Sequence, residues 1–72
     1  MPALIFLITC VPEVGGSETK VFSGNLEDIL YKFGSKNTNP LKGFVYKRVP
    51  HIYKFYVWGG SSWTAIEDPR PN

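Results

Sequence analysis

The sequence predicts a small single α+β domain, ordered β-β-α-β-β-β, with a mostly antiparallel sheet of about five strands and one short helix on one face. Three observations lead there. A chain of 72 residues and 8.1 kDa holds one small core. Stretches rich in β-branched and aromatic residues recur along it, punctuated by Gly and Pro. One stretch carries apolar residues at helical spacing.

Residues 3–11 are apolar apart from Thr9 and show no polar alternation, the pattern of a central strand covered on both faces. Pro12 ends the run, and Gly15-Gly16 marks a turn within 12–17. Residues 18–22 read as a second, shorter strand, so 3–22 form a hairpin whose long loop leaves the register open. The spacing then predicts a helix over 25–33. Asn25 is the N-cap and Asp28 stands in capping-box position. Leu26, Ile29, Leu30 and Phe33 fall at i, i+3, i+4 and i+7 as one stripe. Asp28 and Lys32 make an outward i,i+4 pair, and Gly34 supplies the stop. Two turns of helix melt alone, so this one must lie on the sheet.

Residues 35–40 form a loop. Strands follow over 43–49 and 52–58, separated at Pro50-His51, because proline cannot donate to a ladder. Gly59-Gly60-Ser61-Ser62 is a turn and 63–67 the last strand. A four-residue loop there sets Trp58 opposite Trp63, Phe55 opposite Ile66 and Lys54 opposite Glu67. The compact domain thus spans 1–67, with 68–72 (Asp-Pro-Arg-Pro-Asn) a disordered tail. One helix covers part of one sheet face, so the other face is either polar or meets something else.

Composition narrows the function classes. Charged residues are 19% and hydrophobic residues 43%, which excludes a disordered tail. Cys10 is the sole cysteine and His51 the sole histidine, so neither an internal disulfide nor a Cys/His zinc site can form. Stability must come from packing or self-association, and eleven aromatic rings (two Trp, four Tyr, five Phe) suit either. The nine-residue apolar stretch is short of the roughly 20 residues of a spanning helix, and no basic n-region precedes it. A cytoplasmic protein without membrane contact is expected.

No constellation points to catalysis, a metal or a cofactor. His51, beside Pro50 at a turn, is expected to be exposed and inert, and Cys10 to be a small buried hydrophobe. Glu27-Asp28 opens the helix, where negative charge suits the dipole, and Glu67-Asp68 leads into the tail. Neither Gly-rich loop matches a phosphate-binding fingerprint.

One compositional feature remains. Between Ile29 and Ile66 there is no acidic residue, while Lys32, Lys36, Lys42, Lys47, Arg48 and Lys54 alternate with aromatic residues. Within 52–58, Tyr53, Phe55 and Val57 read as core, with Ile52, Lys54, Tyr56 and Trp58 opposite. The expected contact surface is Tyr46, Arg48, Lys54, Tyr56, Trp58 and Trp63. Tyr, Trp and Arg are enriched at protein hot spots, so the first expectation is a protein-binding module. It forms a homodimer or docks on a larger protein to modulate or inhibit it, as small accessory proteins of phages and mobile elements do. The alternative is single-stranded nucleic-acid binding through nearly the same residues, which a net charge of +2 supports weakly. Sugar stacking on Trp58 and Trp63 is a third option. The Trp-Gly-Gly-Ser-Ser-Trp hairpin resembles turns of many β-rich proteins, sugar-binding modules and phage structural proteins among them, and singles out no family.

Overall fold

Strand β1 (Phe6–Pro12) runs up the middle of the sheet, antiparallel to β2 (Thr19–Gly24) on one side and to β4 (Val49–Trp58) on the other. The computed structural model describes residues 4–38, 40, 41, 45, 46 and 49–72, with Val45, Tyr46, Val49 and Pro50 described by their backbone alone. Strand β5 (Trp63–Ile66) takes the opposite edge of β4, giving the order β2-β1-β4-β5. Strand β3 (Val45–Tyr46) adds two residues paired with the start of β4. The expected α+β class and element order therefore hold, with four full antiparallel strands and a two-residue fifth.

The break expected at Pro50-His51 is absent. Strand β4 runs through both residues for ten positions, and His51 pairs with Pro12. Both prolines sit at strand ends, where a missing N–H is tolerated. His51 is consequently a buried strand residue instead of an exposed turn residue. Of the expected strand over 43–49, Val45–Tyr46 form β3 and Val49 opens β4, while positions 43, 44, 47 and 48 lie outside the described residues. The β4–β5 hairpin keeps the anticipated register, with Trp58 opposite Trp63 and Phe55 opposite Ile66. The third pair, Lys54 with Glu67, falls beyond the end of β5 at Ile66. In β1–β2 the register shifts between Ile8 and Thr9, which leaves Val21 as an extra residue on β2.

Helix α1 (Leu26–Phe33) forms as the stripe requires. The Asn25 side chain accepts from the Asp28 N–H at 2.8 Å and the Asp28 carboxylate accepts from the Asn25 N–H at 3.1 Å, closing the capping box. Gly34, at φ 72°, ends the helix and donates its N–H to the Leu30 carbonyl at 2.8 Å. The outward Asp28–Lys32 pair is replaced. Asp28 turns back to the cap, and the Lys32 ammonium lies 5.3 Å from the Phe22 ring centre and 5.9 Å from that of Phe33.

The core lies between the helix and one face of the sheet. Phe6, Ile8, Ile29, Leu41 and Phe55 are buried, with Ile8 and Ile29 at 0% exposure. Val21, Phe22, Leu26, Phe33, Tyr53, Val57 and Ile66 pack around them. Phe22 meets Phe33 edge-on at 5.7 Å, tying β2 to the helix end.

The tail 68–72, expected to be disordered, is instead held by Arg70, which is 2% exposed. Its Nε and Nη2 donate to the Asp68 carboxylate at 2.6–3.0 Å. Its Nη1 donates to the Phe33 and Gly34 carbonyls at the helix C-terminus, both at 3.3 Å. The Pro71 carbonyl accepts the Lys36 N–H at 3.0 Å. A guanidinium suits this end of a helix, where carbonyls lack internal partners and the dipole is negative.

Candidate functional site

Ladder partners share a face, so the register determines which side chains assemble. Phe6–Val57, Ile8–Phe55 and Phe55–Ile66 point to the helix. Leu7–Tyr56, Thr9–Lys54, Val11–Ile52, Tyr56–Ala65 and Trp58–Trp63 point away from it. The Ile5 carbonyl accepts the Trp58 N–H at 2.9 Å, extending the ladder and bringing Ile5 onto the same side as Leu7. This outer face is apolar and aromatic: Trp58 and Trp63 are each 41% exposed, Ile5 42% and Ile52 37%. The two indoles contact each other, with centres 5.2 Å apart and planes tilted by 60°.

A polar cluster stands in the middle of the face. Glu18, in the β1–β2 loop, accepts from the Thr9 hydroxyl at 2.7 Å and the Tyr56 hydroxyl at 2.6 Å, both on Oε2. The Tyr56 bond, then the Thr9 bond, and lastly the nearby Lys54 charge hold its carboxyl below the ordinary value, against partial desolvation. The same bond, desolvation and the Glu18 charge push the Tyr56 phenol above its ordinary value. Glu18 thus stabilises the fold above its unfolded pKa, and that contribution is lost as pH falls through its lowered folded value. The Tyr56 contribution is complete below its unfolded pKa and is lost as pH rises through its raised one. Thermal melts of wild type and Tyr56→Phe should differ by a constant amount between about pH 6 and pH 9 and converge at acid and alkaline extremes. A difference independent of pH across the whole range would rule out this ionic origin.

Of the expected surface residues, the structure brings Lys54, Tyr56, Trp58 and Trp63 together on this face. Tyr46 is placed in β3 by its backbone, and Arg48 lies outside the described residues. Among the described residues, the basic ones grouped in sequence do not gather. Lys32 lies over Phe22 on the helix side, and Lys36 follows the helix near Asp68. Lys54 stands on the outer face, and Lys42 and Lys47 fall outside the described residues. Sequence reasoning missed Ile5, Thr9 and Glu18, which join the outer face. Strand parity carries a signal for Ile5 and Thr9. Glu18 reads locally as a strand residue, but it lies in the loop before β2 and bonds across to Thr9 and Tyr56.

Comparison with protein-family models, curated proteins and solved structures finds no match to this chain. Its chemistry must be read from its own residues. Cys10 is half-buried, not buried, in a groove of about 400 Å³ lined by Val21, Phe33, Tyr53, Thr19 and Lys20. Asp28 serves the helix cap, and Asp68 serves Arg70. Burial raises the Asp68 pKa, but the Arg70 hydrogen bonds and charge, with the Lys36 charge, outweigh it and hold the carboxyl low. Among the described residues, no three His, Cys, Asp or Glu side chains are grouped to hold a metal ion. No helix there is long and apolar enough to cross a membrane.

Proposed function

We propose that this chain is a non-catalytic protein-binding module whose contact surface is the helix-free face of the sheet, centred on Lys54, Tyr56, Trp58 and Trp63. The observation that carries this reading is a mismatch between patterning and cover. Strand β1 is apolar on both faces apart from Thr9, the pattern of a strand covered on both sides, yet the helix covers one side. Ile5, Leu7 and Val11 are left on the other with Ile52 and the two tryptophans, a patch of the kind that marks interaction sites.

Self-association is the primary mode, because it enlarges a core of few buried residues. Docking on a larger protein to modulate it, in the manner of phage-borne accessory proteins, would use the same surface. Nucleic-acid binding is less well supported. An ionised Glu18 stands at the centre of the face and repels phosphate, and the indoles pack on each other instead of splaying to receive bases.

Light scattering over a concentration series should give a mass near twice 8.1 kDa, with a far weaker salt dependence than phosphate contacts show and no excess absorbance at 260 nm. Trp58→Ala should weaken association by about thirtyfold, as loss of a central aromatic anchor does. A monomer carrying 260 nm absorbance that salt removes would replace this reading with the nucleic-acid one.

A further inference from the structure

Resting on that reading, we infer that the partner is a second copy of this chain, packed face to face, with Glu18 of each protomer paired to Lys54 of the other. Glu18 commits Oε2 to both Thr9 and Tyr56, which orients the carboxylate and leaves Oε1 without a hydrogen bond among the described residues. Lys54 is the ladder partner of Thr9, so it stands beside this carboxylate on the same face. The two charges nevertheless make no ion pair with each other. The face therefore presents an anchored acid and a neighbouring base that attract one another within the chain without reaching ion-pair contact.

A surface with both signs close together is self-complementary under a two-fold axis, because in an isologous contact residue i meets j and j meets i. An axis lying in the interface and passing between Glu18 and Lys54 brings each Glu18 to the other protomer's Lys54 and closes two equivalent pairs. The apolar residues around them supply the area. The molecule is a slab of 41 × 27 × 16 Å, and its broad face is large enough for the about 800 Å² per partner of a standard stable interface. Both residues are exposed in the single chain, so charge reversal there leaves the buried core intact.

The test is a charge-reversal mixing experiment read by sedimentation velocity. Glu18→Lys and Lys54→Glu, each alone, should weaken dimerisation by roughly tenfold or more, since each sets like charges against one another. An equimolar mixture of the two variants should restore dimer, because an all-basic face then meets an all-acidic one. Glu18→Gln keeps an acceptor for Thr9 and Tyr56 while removing the charge, and should fall between wild type and Glu18→Lys. If the wild type dimerises but the mixture does not recover, the Glu18–Lys54 pairing is wrong and the protein-binding face stands. A wild type that stays monomeric at every concentration overturns the second-copy inference. The broader reading fails separately, if Trp58→Ala leaves association unchanged or nucleic acid occupies the face.

Discussion

Arg70→Met should destabilise the fold by about 3 kcal/mol, the cost of removing one partner from a buried ion pair. The arginine satisfies Asp68 and two helix-terminal carbonyls at once. Methionine fills similar space but leaves those acceptors without a donor. A domain of this length has about 4–11 kcal/mol of net stability, so the loss is a large fraction. The melting temperature should fall by on the order of 15 °C. Arg70→Lys keeps the charge but not the planar fork, and should recover part of the loss. An unchanged melting temperature in Arg70→Met would show that residues 68–72 contribute nothing to the fold.

The second large effect is expected at Ile8. This residue is fully buried, opposite Phe22 on β2 and Phe55 on β4, and packs in the same cluster as Ile29 of the helix. Ile8→Ala should cost about 2–5 kcal/mol through lost burial and the cavity left behind, and Ile8→Val about 1 kcal/mol. With so few wholly buried side chains to share the strain, the larger substitution should leave the isolated chain partly unfolded near physiological temperature. Chemical denaturation measures both changes. A loss below 1 kcal/mol for Ile8→Ala would mean that the core is looser than the described packing. If the outer face is covered by a partner, the apparent stability of both variants should rise with protein concentration.

What was legible in the sequence was local. The helix could be read in full from Asn25, Asp28 and the stripe from Leu26 to Phe33, because cap and periodicity are encoded within nine neighbouring positions. The Trp58–Trp63 register followed from loop length, and the division of β4 into Tyr53, Phe55 and Val57 against Lys54, Tyr56 and Trp58 followed from period-two alternation. The misreadings share a different origin. Pro50 reads as a break because the sequence does not show that its position lies at a strand end. Arg70 was read as part of a polar, proline-flanked tail, since its carbonyl partners lie 36 and 37 residues away. Lys32, Lys36 and Lys54 were grouped by proximity in the chain, whereas the fold distributes them over different sides. Glu18 was overlooked as a site residue for the same reason: its partner Tyr56 is 38 positions distant. The strand order β2-β1-β4-β5 was not readable at all, and it is this order that gathers Ile5, Tyr56, Trp58 and Trp63 onto one face.

The central claim is that the helix-free face is an association surface, and side-chain NMR on dilution tests it most directly. The indole N–H signals of Trp58 and Trp63 and the methyl signals of Ile5 and Ile52 should shift together along one monomer–dimer curve. The methyls of Ile8 and Ile29, buried between the helix and the sheet, should stay in place. Shifts confined to the exposed helix residues Glu27 and Tyr31, or none on the outer face at any concentration, would contradict the account.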